Sequence, residues 1–338
     1  MWAMRISILG FMLLLLTISY AQEEVCEPKI NGVNFMGAPK PIDVNCMQPV
    51  KFINANWVAL NPFGYAKKGE PNISFDNDWQ WWGERPQGVV KCIEYARTEN
   101  LKVLIKPHVW VMGQGWPGEF EVETEEDWLI WEETYTAYIL ALAKIAEEKE
   151  AEMLAIGTEF RLAVRQRPQF WHQLINEVRK IYNGKLTYAA NWDNYEYVTF
   201  WDELDYIGID NYYPLNTEDT PSVNQLLIDW EKPYQTIKKF AEKLNKKVIF
   251  TEYGYRSISK TAGPQWELED KHTDPANLLA QQNAYEAIFK TFWTEDWMVG
   301  GFLWKWRPND AQAGGHKNND YTPQNKPVEA LIREWYGY

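Results

Sequence analysis

Cysteine and histidine are scarce in this chain of 338 residues. Cysteines at 26, 46 and 92 and histidines at 108, 172, 272 and 316 match no metal-ligand or redox spacing, so neither a metal site nor thiol chemistry is expected. Cys92 falls among Val89, Ile93 and Ala96 on an apolar helical face and reads as core, while a Cys26 to Cys46 disulfide stays open in an oxidising compartment. No Gly-rich fingerprint follows the first strand-like segment, which argues against a dinucleotide fold and its cofactor. Linkers rich in Ser, Pro or Gly and internal repeats are also missing, so one domain is expected. Basic residues are the minority, 34 Lys and Arg against 47 Asp and Glu, for a formal net charge of −13. That balance disfavours nucleic acid or an anionic membrane surface as partner and points to a neutral substrate.

Only one long apolar run is present. Arg5, the run 6–18 and then Ser19-Tyr20-Ala21 read as a secretory signal peptide cut after Ala21. Residues 22–338 are then expected as an exported protein, periplasmic or extracellular, with no membrane partner once the leader is removed. Tryptophan is the abundant residue, 19 in all. Trp79, Trp81, Trp82, Trp110, Trp116, Trp192 and Trp304 fall at strand ends or in loops rather than in helical stripes. Flat apolar faces with a polar edge suit a surface that is partly dry and partly wet, as the faces of sugar rings require; core packing is the competing reading for each one.

Short apolar segments alternate with helical ones. Strands are predicted at 32–37, 56–63, 101–110, 153–159, 185–192, 206–213, 247–252 and 299–306. Between them, Pro86 opens a helix over 86–100, Thr124 and Asp127 resemble a capping box, Pro168 opens another helix and Asp274-Pro275 a further one. Eight strands alternating with helices in one domain of this length predict an α/β fold, the (β/α)8 barrel.

In such a barrel the chemistry sits at the C-terminal strand ends. Polar residues that interrupt apolar runs there are Asn34, Asn61, Lys106, His108, Glu159, Asn191, Asp210, Tyr212 and Glu252, with Trp304 as an aromatic plate. Two carboxylates, neutral hydrogen-bonding groups and aromatic plates in one ring fit a glycosidase cleft, where one carboxyl protonates the departing oxygen and the other attacks or activates water. Gly254 after Glu252 is expected to let the backbone turn away. A lone strand-end glutamate has a structural alternative as a cap or ion-pair partner; the pair is the more specific signal.

The motifs Gly32-Val33-Asn34-Phe35, Lys106-Pro107-His108-Val109, Ile156-Gly157-Thr158-Glu159, Ala190-Asn191-Trp192 and Thr251-Glu252-Tyr253-Gly254-Tyr255, in that order, resemble glycoside hydrolase family 113, the β-mannanase family. The resemblance implies a retaining hydrolase of β-1,4-mannan with Glu159 as acid/base, Glu252 as nucleophile and Trp304 under the cleaved sugar. It also implies that Lys106, His108, Asn191, Asp210 and Tyr212 hydrogen-bond near that sugar, and Asn34, from its strand-end position, is a further substrate-binding candidate. Thr158 departs from the wider superfamily, many members of which carry Asn there against the sugar 2-hydroxyl. The alternatives are a barrel hydrolase of another β-glycan, glucan or xylan, and a carbohydrate-binding protein without catalysis.

Overall fold

The structure is a computed structural model, and it describes residues 28–264 and 275–338. The leader and the expected Cys26 to Cys46 pairing involve residues 1–27 and so lie outside the described residues. The elements run β1 (Ile30–Phe35), α1 (Gln48–Phe52), β2 (Trp57–Leu60), β3 (Phe63–Lys67), α2 (Pro86–Thr98), β4 (Lys102–Ile105), β5 (His108–Met112) and α3 (Glu125–Glu148). They continue with β6 (Met153–Thr158), α4 (Arg161–Gln166), α5 (Pro168–Arg179), β7 (Lys185–Asn191), β8 (Ile207–Asn211), α6 (Val223–Leu244), β9 (Val248–Tyr253), α7 (Leu278–Phe292), β10 (Met298–Trp306) and α8 (Pro327–Trp335).

Eight parallel strands close a barrel in the order β1-β10-β9-β8-β7-β6-β4-β2. Strands covered on both faces are largely apolar, and β1, β2, β6, β8 and β9 are buried at every residue, their few polar side chains included. The helices shield the outer face with apolar stripes; Trp128, Trp131, Tyr135, Tyr138 and Leu142 of α3 are all buried. Cys92 is buried on α2 in the same core. No helix of the described residues is long and apolar enough to cross a membrane.

The second and third predicted strands are each two strands rather than one. β2 stops before Asn61-Pro62 and β4 before Lys106-Pro107, because proline has no N–H to continue the ladder and restrains the residue before it. Beyond the prolines the chain re-forms as a parallel ribbon of β3 and β5, in the register Phe63↔His108, Tyr65↔Trp110 and Lys67↔Met112. This ribbon is the main addition to a plain barrel.

Smaller corrections concern helix starts and one glycine. α7 is capped by Asn277, whose side chain accepts from the Ala280 N–H, so Pro275 precedes the helix instead of opening it. Thr124 caps α3, but Asp127 accepts from the Thr124 hydroxyl and not from its backbone, so the reciprocal half of the box is missing. Gly254 does not adopt a left-handed turn. It is required by space, since a Cβ there would lie 2.4 Å from the Trp304 carbonyl oxygen.

Candidate active site

Glu252 lies within β9, one residue before its end, and points into the barrel mouth with 6% of its surface exposed. Both its oxygens are held. Oε1 forms an ion pair with the fully buried Lys106 ammonium, and Oε2 accepts the Tyr212 hydroxyl at 2.6 Å. His108 Nε2 stands 3.6 Å from Oε1. The Pro107 break explains this convergence: Lys106 directly follows β4, its N–H held by the Leu60 carbonyl, and His108 begins the ribbon above it. Burial, and then the Lys106 charge, push the His108 imidazole well below its usual range, so it is neutral at physiological pH.

Glu159 follows β6 and is half-buried, with a backbone φ of 55°. A left-handed conformation is strained for a glutamate and is held only where the surroundings impose it. Here the Glu159 N–H is tied to the Ala189 carbonyl at 2.8 Å, and the next N–H, of Phe160, to the Tyr188 hydroxyl at 2.8 Å. The side chain accepts one hydrogen bond, from Trp116 Nε1 to Oε2 at 2.7 Å. Burial raises its pKa well above the usual carboxylate range, and the charges of Asp210 and Glu252 raise it further, against smaller opposing effects of Trp116 and Lys106.

Asp210 on β8 is fully buried and accepts the Thr251 hydroxyl at 2.7 Å. Desolvation lifts its pKa to about 7; Lys106 opposes the rise and Glu252 adds to it. Trp304 on β10 is half-buried, its ring 5.5 Å from the Lys106 ammonium and 5.9 Å from the His108 ring. The Trp304–Lys305 peptide is cis.

A cavity of about 430 Å³ opens over Glu159 and is lined by Trp116, Arg161, Asn191, Trp192, Tyr212 and Tyr321 among others. A larger cleft of about 880 Å³, between the loop after β1 and the loop after β10, holds neither glutamate. The structure therefore gathers Lys106, His108, Tyr212 and Glu252 into one contact network, with Trp304 beside it and Glu159 and Asn191 on the adjoining cavity. Two predicted site residues lie beneath this layer. Asn34 is buried with its amide donating to the Thr251 and Phe302 carbonyls at 3.1 Å, and Asn61 is buried and donates to the Phe35 carbonyl. Thr158 is buried as well, its hydroxyl donating to the Pro107 carbonyl at 2.8 Å, so it braces the β4–β5 break and does not line the cavity.

Sequence reasoning left out Arg161, Asp193 and Tyr321 and noticed Trp116 only as a loop tryptophan. Arg161 pairs with Glu119 and Asp193 and covers the Trp116 ring at 5.2 Å, which fixes the indole that donates to Glu159. Its position two residues after Glu159 was the available signal; Tyr321, in an irregular loop, offered none. Chemically, the arrangement supplies one carboxylate bracketed by donors and one carboxyl whose affinity for its proton is raised by burial, which is the difference a two-carboxyl glycosidic cleavage needs. Among the described residues no group of His, Cys, Asp and Glu is placed to hold a metal ion.

Residues 42–326 match the model of Glycoside Hydrolase Family 113. None of the curated proteins compared matches the sequence. Among solved structures, a GH113 β-mannanase from Alicyclobacillus acidocaldarius in complex with ManMIm is 25% identical with a TM-score of 0.79, over 92% of this chain and 97% of the other. A complex of a GH113 β-1,4-mannanase is 26% identical with a TM-score of 0.77, over 92% of this chain and 99% of its own. A β-glucuronidase from Faecalibacterium prausnitzii, 14% identical with a TM-score of 0.61 over 92% of this chain and 49% of its own, shares the fold alone. Since the family match spans both glutamates and the barrel is shared almost end to end with these mannanases, this chain belongs to Glycoside Hydrolase Family 113 and is a glycoside hydrolase.

Proposed function

We propose that this chain hydrolyses β-1,4-mannosidic bonds with retention, using Glu252 as nucleophile and Glu159 as acid and then base. The observation that carries the assignment is the difference between the two carboxyls. Glu252 is oriented by donors on both oxygens, from Lys106 and Tyr212. Among the described residues Glu159 accepts only the Trp116 N–H, and burial and neighbouring negative charge raise its pKa well above the usual carboxylate range. In the first step a Glu252 oxygen bonds to the anomeric carbon as the bond to the leaving oxygen breaks, and the Glu159 proton passes to that oxygen. In the second, Glu159 as carboxylate takes a proton from water, which attacks the same carbon and releases Glu252. Trp304 forms the floor under the sugar being cleaved, and neutral His108 and Asn191 offer hydrogen bonds to its hydroxyls. The leader-like segment up to Ala21 supports an exported enzyme meeting its polysaccharide outside the cytoplasm.

The test is Glu252→Ala with an aryl β-mannoside. Turnover should be lost, and azide should restore it with a glycosyl azide of inverted configuration. Substantial residual activity without azide rescue rejects Glu252 as nucleophile. Product analysis of the unmutated enzyme on β-1,4-mannan, glucan and xylan tests the substrate, and release from glucan or xylan but not mannan overturns the mannan assignment.

A further inference from the structure

The β3–β5 ribbon stands beyond the barrel, and its two faces differ. Gly64, Ala66, Val109 and Val111 point inward and are buried. Phe63, Tyr65, His108 and Trp110 alternate with them and share the other face, because side chains two apart on a strand lie on one side and the register aligns Phe63 with His108 and Tyr65 with Trp110. The aromatic rings form a continuous chain outward from the cleft. Centroids are 5.9 Å apart from Trp304 to His108, 5.1 Å from His108 to Phe63, 6.3 Å from Phe63 to Tyr65, and 4.6 Å from Tyr65 to Trp79.

At the outer end, Trp79 and Trp110 are 59% and 51% exposed. Two bare indoles on one exposed face invite association with a partner that has apolar surface of its own. They are also held in place. The loop bearing Trp79 bridges back to the ribbon through Tyr65 and Ser74, the Gln80 amide donates to the Phe63 carbonyl at 2.9 Å, and Arg85 pairs with Asp76 at 2.8 Å. Trp110 lies over Gly115, where a Cβ would come within 3.3 Å of the ring. Rigid aromatic plates bind at low conformational cost.

We propose that this face is a distal subsite for the glycone side of a β-1,4-linked mannosyl chain, seated on Tyr65, Trp79 and Trp110. The proposal rests on the mannanase reading above and deepens it. The side follows from the chemistry: the acid Glu159 faces the cavity with Trp116 and Trp192, where the leaving group must lie, whereas His108 and Trp304 flank the nucleophile Glu252. A track that begins at His108 therefore continues under the sugars on the glycone side. Tyr65, Trp79 and Trp110 carry no charge, Lys67 at the end of the same face is paired with Glu70, and the Tyr65 hydroxyl is already bonded to Glu84 at 2.9 Å, which suits a neutral chain.

The experiment compares kcat/KM on mannohexaose with kcat/KM on a short aryl β-mannoside for the unmutated enzyme, Trp79→Ala, Trp110→Ala, and the Trp→Phe variants of both. Leu129→Ala, an exposed apolar site on α3, is the control. Each Trp→Ala change should lower the hexaose-to-aryl ratio by about three- to tenfold, as loss of one aromatic stacking contact implies. The Phe variants should restore most of the ratio, and the control should leave it in place. Labelling the reducing end should show that the remaining cleavage shifts to bonds with fewer sugars on the glycone side. An unchanged ratio, or a shift on the leaving-group side, overturns the proposal. A protein that cleaves only another β-glycan overturns the mannan reading instead, and the same ratio measured with that glycan's oligosaccharides still tests the track.

Discussion

The Tyr212 hydroxyl donates to Glu252 Oε2 at 2.6 Å, on the opposite side of the carboxylate from Lys106. The nucleophile is thereby fixed by residues that directly follow two other strands, β4 and β8, before any substrate arrives. This is the positioning that turns a flexible side chain into a directed one.

Tyr212→Phe removes one donor and leaves the ring. A hydrogen bond to a charged group is worth about 1.5 to 3 kcal/mol, so kcat should fall roughly 10- to 100-fold. Pre-steady-state release of the aryl leaving group should show that the loss lies in formation of the glycosyl-enzyme. An unaltered first step removes Tyr212 from the nucleophile's support.

Lys106→Met leaves the Glu252 carboxylate buried without its cation. Breaking one side of such a pair costs about 3 to 5 kcal/mol, and urea unfolding should register it. Lys106→Met combined with Glu252→Gln removes both charges and should recover much of that stability while remaining inactive. No recovery in the double variant would show that the ion pair is not the source of the cost.

Glu159 sets the pH response. Its folded pKa lies above its unfolded one, so the folded state holds the proton more tightly. The group's stabilising effect is therefore complete at low pH and is lost as pH rises from the unfolded value of about 4 toward the folded value. Asp210, raised to about 7, acts with the same sign. Glu159→Gln should thus melt at a higher temperature than the unmutated enzyme at pH 7 but not at pH 4, while losing the alkaline limb of kcat/KM. Equal melting temperatures at both pH values would contradict the raised pKa.

Gly254→Ala introduces a Cβ that meets the Trp304 carbonyl oxygen at 2.4 Å. Backbone cannot yield as a side chain does, so about 1 to 3 kcal/mol of stability should be lost. Because the displaced carbonyl belongs to Trp304, kcat should drop together with stability. A variant as stable and active as the parent would show that the β9–β10 approach is slack.

The sequence by itself determined the barrel and the kinds of groups at its mouth. Strand and helix periods are local properties, written in apolar runs such as 153–158 and in stripes such as Trp128 to Leu142, and carboxylates that interrupt such runs stand out wherever the fold later places them. Tertiary structure alone decided which of those groups meet. The Lys106–Glu252 pair joins residues 146 apart, and the Trp116–Glu159 bond joins residues 43 apart. Asn34 and Thr158 look as polar as Asn191 in the sequence, yet their side chains bond to backbone carbonyls below the cavity. The physical reason is that barrel closure fixes register between strands distant in sequence, and register selects which end of a polar side chain faces the cleft and which faces another strand.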